Sequence, residues 1–366
     1  MDDFYAARSR LIPPLPWPTF APPFSGLRRS GPGMQRNSIK KAIRNVEPID
    51  AVITWVNGSS ESHRSERHKH MAKARLPLHE NAINPHRWAC NNEILYCLQS
   101  IHNYAPWTRK IWIVADGDTP DLSRLSDDLR TKVRFVLHRD IFKKFNAMLP
   151  TFNSLAIESL IWRIDGLSEC FMYFNDDVFL TAPLKPDDVF KGFSPVLRGK
   201  WVDYSDTLRN PIMRRDPSKF NHYMQLNAAN LMGFDVNMLF SSAHVVHPLR
   251  RSVMARLFVQ HRQAFIDNIG HRFRDLSQFL PQGLHNHACI LAQDAVIHTT
   301  DDHRHIRSGE GLGRSLSETM SLLHSATSPE IKFLCVNDLP KLEKVISGAR
   351  EWLDQAIGGF PDPPSY

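Results

Sequence analysis

Apolar and polar positions alternate in blocks along residues 48–180, and these blocks predict strands and helices in turn. Runs that are almost continuously apolar and rich in β-branched and aromatic residues are typical of strands buried on both faces. They read DAVITWVNG, KIWIVADG, VRFVLH and CFMYFND. The segments NNEILYCLQSIHNYAPW and SLAIESLIWRI instead place apolar residues at helical spacing, and Pro106 ends the first helix. Strands that alternate with helices predict an α/β fold with a mostly parallel sheet and helices on both faces.

The pattern weakens after residue 185, and the C-terminal part is predicted to be largely helical. Helical spacing continues in RRSVMARLFVQHRQAFIDNI, from Arg250, and in LHNHACILAQ, from Leu284. The run KFLCVND, from Lys332, predicts a late strand. We place the main, catalytic domain at residues 48–345 and a C-terminal helix and tail at residues 346–366.

Residues 1–47 have a different composition and predict a separate, flexible leader. Its first half is interrupted by prolines, which exclude a regular helix; these are Pro13, Pro14, Pro16, Pro18, Pro22 and Pro23. A basic stretch without acidic residues follows, made up of Arg28, Arg29, Arg36, Lys40, Lys41 and Arg44. Such a stretch suits attraction to an anionic membrane surface or a polyanionic polymer, and a solvated linker explains it equally well.

Charge and cysteine content narrow the class of protein. The 366 residues carry a formal net charge of +7, which favours an anionic partner. Nucleic acid is not expected, because no basic and aromatic platform appears. The five cysteines have no CxxC spacing, which predicts a reducing compartment and argues against a structural zinc site.

The lack of recognisable targeting segments in the sequence favours a cytoplasmic protein. The N-terminus lacks the pattern of a secretory leader, and no run approaches the ~18 apolar residues of a membrane span. We therefore expect a cytoplasmic location, with the inner face of the plasma membrane as a candidate place of contact for the basic leader.

The acidic turn in FMYFNDDVFL is the first candidate for chemistry. Asn175, Asp176 and Asp177 follow a predicted strand, and parallel sheets bind ligands at the carboxyl ends of their strands. Adjacent carboxylates repel each other and favour a positive charge between them. Mg²⁺ or Mn²⁺ carrying a substrate diphosphate would supply that charge. Capping of the next segment, or an ion pair with Arg or Lys, is the alternative.

A second candidate lies in SSAHVVHPLRRS. His244 is placed to act as a general base on a hydroxyl, and Arg250 to bind phosphate oxygens. The segment HRFRD adds Arg274. With 18 histidines in the chain, chance proximity is the alternative explanation. No P-loop, GxGxxG, GxSxG or HExxH motif is present.

The ordered string of motifs resembles the Stealth family of capsular and exopolysaccharide phosphotransferases, which includes the related lysosomal-enzyme GlcNAc-1-phosphotransferase. The first block resembles IDAVITWVNG. The second runs through NNEILYCLQSIHNYAPWTRKIWIVADG and LPTFNSLAIESLIWRIDGLSECFMYFNDDVFL. The third resembles AHVVHPLRRSV, HRFRD and LHNHACILA, and the fourth is KFLCVND. The resemblance implies a Rossmann-like sheet of the nucleotide-sugar transferase type.

The resemblance implies transfer of a sugar-1-phosphate, typically HexNAc-1-phosphate, from a UDP-sugar to a hydroxyl of a saccharide acceptor, with release of UMP. By motif position, Asp176 and Asp177 would hold Mg²⁺ or Mn²⁺. The catalytic residues would be Asp177, His244 as the base, and Arg274. Substrate binding would involve Asp50, Trp55, Asn57, Gly58, Asn153, Asn227, Asn230 and Arg250.

The chain departs from the family pattern at several positions. Leu95 and Gln99 replace arginines that are common in the family, and Trp162 replaces a common histidine. Ser59 and Ser60 stand where an acidic residue often follows the first Asn-Gly. These substitutions affect which donor sugar nucleotide is expected, and they leave the acidic turn unchanged. The competing functions are a metal-dependent glycosyltransferase that releases UDP and a non-catalytic glycan-binding module.

Overall fold

The structure is a computed structural model that describes residues 47–74, 77–84, 88, 91–307 and 315–361. The leader predicted for residues 1–47 therefore lies, except for Glu47, outside the described residues. Among the described residues, none of the helices combines the length and the apolar character needed to cross a lipid bilayer.

Strands occur throughout the described part of the chain. They are β1 (Ile49–Thr54), β2 (Ile111–Ala115), β3 (Val133–Leu137), β4 (Cys170–Asn175), β5 (Val178–Leu180), β6 (Phe190–Lys191), β7 (Ser194–Val202), β8 (Leu239–Ser242), β9 (His247–Arg250), β10 (Val296–His298), β11 (His303–Arg307) and β12 (Phe333–Asn337).

Helices separate many of these strands. They are α1 (Glu61–Ala72), α2 (Glu80–Ile83), α3 (Glu93–Tyr104), α4 (Asp127–Lys132), α5 (His138–Ile141), α6 (Ser154–Glu158), α7 (Ser205–Arg209), α8 (Phe220–Leu231), α9 (Arg251–Gln260), α10 (Arg262–Gly270), α11 (Pro281–Leu291), α12 (Leu316–Ser325), α13 (Leu339–Val345) and α14 (Ala349–Ala356).

The main sheet has the strand order β3-β2-β1-β4-β9. The first four strands run parallel to one another, and β9 is antiparallel to β4 at the edge. Thr54 lies opposite Asn175 in the ladder, so β1 and β4 end side by side. The mostly parallel sheet predicted from the apolar runs is therefore confirmed.

Both faces of this sheet are covered, as the continuous apolar runs require. Along β1, Ala51 and Ile53 pack into one core cluster and Val52 into another, because neighbouring side chains point to opposite faces. Helix α3 covers the first face and α9 covers the second. The predicted α/β fold with helices on both faces is confirmed.

The helix predicted over SLAIESLIWRI is shorter in the structure, where α6 ends at Glu158. The Ser159 hydroxyl donates a hydrogen bond to the Leu155 carbonyl at 2.7 Å, a bond that competes with regular helix geometry. The long helix predicted from Arg250 is likewise divided at His261 into α9 and α10.

The C-terminal part combines its helices with short strands that the apolar pattern did not predict. One four-stranded sheet contains β6, β7, β8 and β10, and a three-stranded sheet has the order β11-β12-β5. The strand predicted in KFLCVND is confirmed as β12. It runs antiparallel to β5, which directly follows the acidic turn, so the late strand is brought against the end of β4.

Two buried histidines of α11 hold the neighbouring strands in place. His285 Nε2 accepts a hydrogen bond from the Arg250 amide at 3.0 Å, and His287 Nε2 accepts one from the Phe240 amide at 3.1 Å. Both rings must be neutral at Nε2 to accept these bonds. Burial lowers the pKa of each histidine to about 4.

These two histidines should make stability fall with acidification. The unfolded chain takes up protons below a pKa of about 6.5, whereas the folded chain resists protonation until about pH 4. Stability is therefore lost as the pH falls through this window, by about 1.5 kcal/mol for each histidine between pH 6.5 and pH 5. Urea unfolding at both pH values measures it. His287→Gln should show a shallower pH dependence, and an unchanged slope would contradict the assignment.

Candidate functional site

The acidic turn connects β4 to β5 and is held by β12. The Asp177 carbonyl accepts a hydrogen bond from the Val336 amide at 3.0 Å. Asn337 Nδ2 donates to Asp177 Oδ2 at 2.6 Å. The other carboxylate oxygen, Oδ1, is buried without a hydrogen-bond partner and lies 3.9 Å from His244 Nε2. One oxygen of Asp177 is thus fixed, while the other remains available to a ligand.

His244 lies in the loop between β8 and β9, opposite the acidic turn. Ligand atoms of Asp177, His244 and Cys335 all lie within 4.8 Å of one another. The His305 ring packs against His244 at a centroid distance of 5.3 Å. Three segments far apart in sequence therefore meet at the end of β4.

The site brings several carboxyl groups close together. Burial raises the pKa of Asp176 well above its usual range, and the nearby Asp177 and Glu93 raise it further. The pKa of Glu93, in the first turn of α3, is also raised, mainly by burial and additionally by Asp177. Carboxyl groups that disfavour each other's ionisation accommodate a cation readily. Together with the free oxygen of Asp177, they fit a divalent metal ion.

Cys335 is a poorer candidate for a ligand. Burial raises the pKa of its thiol well above the usual value, and Asp177 contributes to the same effect. A metal ligand needs the thiolate form, which this environment disfavours. The oxygen-rich remainder of the site suits Mg²⁺ or Mn²⁺ better than a thiophilic metal.

A cavity of about 210 Å³ opens at the carboxyl ends of β1 and β2. Trp55 and Asn57 line it as expected, together with Val56, Ser62, His63, Glu66, Ala115, Asp116, Asp118 and Phe152. It lies beside the acidic turn, because Thr54 pairs with Asn175 in the sheet. At Gly58 a Cβ atom would collide with the backbone of Trp88, so the glycine permits a close approach of two chain segments.

Asp50 is not brought to this site. It starts β1, at the end of the sheet opposite to the acidic turn, and is fully buried. Its carboxylate accepts hydrogen bonds from Arg109 Nε at 2.8 Å, Trp112 Nε1 at 2.9 Å and the Ser168 amide at 3.0 Å. These contacts tie three segments together and leave the carboxylate no room for a nucleotide.

Replacing Asp50 with asparagine should therefore lower stability and spare ligand binding. The substitution leaves the half-buried Arg109 without its charged partner and weakens the hydrogen bonds that the buried carboxylate accepts, which should cost about 1–3 kcal/mol. Urea unfolding measures the loss. Asp165→Asn, which breaks the exposed pair with Lys143, is the matched control and should change stability by less than about 1 kcal/mol. Loss of donor binding at unchanged stability would contradict this role.

Arg250 is also placed away from the acidic turn. It ends β9, and because β9 is antiparallel to β4, it pairs with Cys170 at the start of β4. Its guanidinium forms ion pairs with Asp294 and, at 3.6 Å, with Glu169.

Two of the predicted asparagines have their side chains occupied by the fold. Asn153 caps α6 and donates to the His271 carbonyl at 2.8 Å. Asn227 Nδ2 donates to the Leu276 and Gln278 carbonyls at 2.8 and 2.7 Å. Both hold the segment 271–278, which carries Arg274. The structure thus assigns them contacts with protein rather than with the cavity.

The predicted residues Asn230 and Arg274 have different surroundings. Asn230 lies exposed near the end of α8. Arg274 donates to Ser154 Oγ at 2.8 Å, while its buried Nε has no hydrogen-bond partner. Burial lowers the pKa of Arg274, and the charges of Glu158 and Asp177 oppose that shift. Arg274 is therefore within electrostatic reach of the acidic turn.

Three of the positions that depart from the family pattern lie in the packed part of the fold, whereas Ser59 is exposed. Leu95 and Gln99 are buried on α3, and Gln99 Nε2 donates to Asn103 Oδ1 at 2.8 Å. Trp162 packs against Phe258 at a ring distance of 5.6 Å.

Sequence reasoning missed several members of the site. Glu93, His305 and Cys335 were not singled out, although Glu93 stands as an acidic residue at the start of an otherwise apolar helix. That contrast was a usable signal. The other two join the site only because β11 and β12 pair with β5.

Comparison with known proteins gives matches over much of the chain. Family models for Stealth protein conserved region 1 and conserved region 2 match residues 47–74 and 87–195. An exopolysaccharide phosphotransferase of Streptomyces coelicolor is 42% identical over 168 residues, which cover 46% of this chain and 26% of the relative. A capsular polysaccharide phosphotransferase of Haemophilus influenzae is 31% identical over 236 residues, covering 62% of this chain and 61% of the relative.

These matches confirm the resemblance noted in the motifs, although the chain spans less than two thirds of the length of either relative. Among solved structures, the galactosyltransferase LgtC aligns with 87% of this chain and 98% of its own at 10% identity. Its TM-score of 0.44 is too low to support an argument about this protein.

Proposed function

We propose that this chain, which carries conserved regions 1 and 2 of Stealth proteins, transfers a sugar-1-phosphate from a UDP-sugar to a glycan hydroxyl in capsular or exopolysaccharide synthesis. The donated group is HexNAc-1-phosphate, and the products are a phosphodiester and UMP. The observation that carries the proposal is the meeting of Asp177 and His244 beside the cavity at the end of β1.

The transfer joins the acceptor to the phosphorus that bears the sugar. The acceptor hydroxyl oxygen forms a bond to this phosphorus, and the bond from phosphorus to the bridging diphosphate oxygen breaks. UMP leaves with the bridging oxygen and its electron pair. A ring nitrogen of His244 takes the hydroxyl proton, and the carboxylate of Asp177, 3.9 Å from Nε2, stabilises the resulting imidazolium.

Charge neutralisation is the main demand of phosphoryl transfer. Asp176 and Asp177 would hold Mg²⁺ or Mn²⁺, which, when bound, neutralises charge on the diphosphate. Arg274, whose Nε is free of protein partners, is placed to add a second positive charge. Trp55 and Asn57 line the cavity that would receive the nucleoside.

The identity of the released nucleotide tests the proposal. Purified protein would be incubated with a panel of UDP-sugars that includes UDP-GlcNAc, with Mg²⁺ and a saccharide acceptor, and the nucleotide separated by chromatography. UMP that depends on both metal and acceptor supports sugar-1-phosphate transfer. UDP would instead show a glycosyltransferase that attacks the anomeric carbon. Binding of the saccharide without release of UMP or UDP would instead indicate a non-catalytic glycan-binding module.

The cytoplasmic location and the contact between the basic leader and the inner membrane face belong to the same proposal. The membrane contact rests on the basic residues of positions 28–44, which lie outside the described residues.

A further inference from the structure

Helix α8 packs its His222 face against the end of β8 and against Tyr204, which follows β7. Gln225 Oε1 accepts a hydrogen bond from the Ser242 amide at 2.6 Å, which fixes α8 against β8. The Tyr204 hydroxyl and Ser241 Oγ lie 3.0 Å apart, and the Tyr204 ring stacks on His222 at 4.6 Å. His222 therefore lies close to the last two residues of β8, and the chain continues from Ser242 to His244 within two residues.

Cationic side chains converge on this point from separate elements. Lys219 precedes His222 by three residues, so the two share a face of the helical turn. Lys200, exposed on β7, lies opposite Ser241 in the ladder. We call Lys200, Lys219 and Arg307 the basic cluster.

Arg307 connects the basic cluster to the candidate active site. It lies two residues after His305 on β11, so both side chains point to the same face of the strand. The His305 ring contacts His244, and Arg307 itself pairs in the ladder with Asn337. Asn337 holds Asp177. The backbone of Arg307 therefore lies close to the residues that contact His244 and Asp177.

The electrostatics of His222 agree with this geometry. Burial lowers its pKa, and Lys219, Arg307 and Lys200 each lower it further, whereas Asp216 acts in the opposite direction. The carboxylate of Asp216 is occupied as the cap of the turn before α8, where it accepts from the Ser218 amide. Around His222, three cations therefore act against one carboxylate that is already engaged by the backbone.

The basic cluster and the nucleoside cavity lie on different sides of the acidic turn. The cavity is formed at the ends of β1 and β2, on one side of β4. The basic cluster lies on β7, on β11 and at the start of α8. Strand β7 pairs with β8, which precedes His244, and β11 pairs with β12, which holds Asp177. The cluster therefore approaches these two residues from the other side of the acidic turn. A UDP-sugar bound in the cavity would thus leave the basic cluster free to bind the acceptor.

We propose that Lys200, Lys219 and Arg307 form an acceptor subsite that binds a phosphodiester of the glycan being extended. This inference rests on the proposed function, whose product is itself a phosphodiester-linked glycan. A polymer made by repeated transfer presents such an anion at a fixed distance from each new acceptor hydroxyl. Lys and Arg side chains bind phosphate oxygens through charge-assisted hydrogen bonds.

Binding of two matched oligosaccharides tests the subsite without requiring turnover. The probes are a synthetic tetramer of N-acetylglucosamine joined by phosphodiesters and uncharged chitotetraose, titrated by calorimetry into the full chain without donor. Lys200→Gln and Arg307→Gln should each weaken binding of the charged tetramer by about tenfold and leave chitotetraose unaffected. Lys191→Gln is the matched control: it is exposed on the same sheet but pairs with Ser194, about 20 Å from Lys200 along β7. It should bind both probes as wild type does.

Other outcomes would overturn the inference. The subsite is refuted if the wild-type chain does not prefer the charged tetramer, or if the variants bind it normally. It is also refuted if the variants lose UDP-sugar affinity instead, since the cluster would then belong to the donor site. Failure of the proposed function would appear separately, as an absence of UMP in the nucleotide assay.

Discussion

Asp177→Asn should reduce kcat for UMP release by about 100- to 1000-fold or more, while the protein remains folded. The substitution removes the negative charge of the oxygen that has no hydrogen-bond partner in the protein. The amide oxygen of asparagine can still accept the hydrogen bond from Asn337, so the link between the acidic turn and β12 is retained. The loss should therefore be one of metal binding and transition-state stabilisation, not of fold.

Steady-state UMP release, Mn²⁺ binding by calorimetry and thermal unfolding together separate these effects. Asp187→Asn, an exposed aspartate ten residues further along the chain, serves as the control and should match wild type in all three. Full activity of Asp177→Asn would show that Asp177 is not a required metal ligand. A large drop in melting temperature would instead make Asp177 a structural residue.

His244→Gln should lower kcat by about 100- to 10,000-fold with donor affinity nearly unchanged. Glutamine fills a similar space but cannot accept the acceptor proton at neutral pH. The cavity is lined by the last residue of β2, by residues that follow β1 and β2, by α1 and by Phe152, so His244 is not needed to form it. Stopped-flow single turnovers measure the chemical step, and calorimetry with UDP-GlcNAc measures donor binding.

His324→Gln, which alters an exposed histidine of α12, is the matched control for this substitution. It should leave both the rate and the affinity at wild-type values. Equal losses of turnover and donor binding in His244→Gln would show that His244 contacts the donor and would require another base.

Much of the fold could be predicted because it depends on local pattern. The runs around Val52, Ile113 and Phe174 are apolar on both faces, and only a covered sheet buries both faces of a strand. The end of each run was marked by turn residues, so the acidic turn could be placed at the carboxyl edge of the sheet. Helix lengths were less predictable, since the hydroxyl of Ser159 ends a pattern that apolar spacing would have continued.

The candidate site was predictable only where strand direction was known. Asp50 stands at the start of β1, so its distance from the carboxyl edge follows once β1 is known to be parallel to its neighbours. For Arg250, the sequence does not indicate the direction of its strand. Whether β9 runs with or against β4 depends on the intervening chain, and the antiparallel pairing observed places Arg250 at the opposite edge.

The sequence alone determined the parallel sheet, the acidic turn at its edge and the resemblance to a phosphotransferase family. Only the tertiary structure decided which groups surround Asp177. Glu93, His244 and Asn337 come from segments separated by many residues, and their meeting depends on α3 packing against β5 and on β12 pairing with β5. Such contacts are set by the complementarity of whole elements, and no pattern within one segment encodes them.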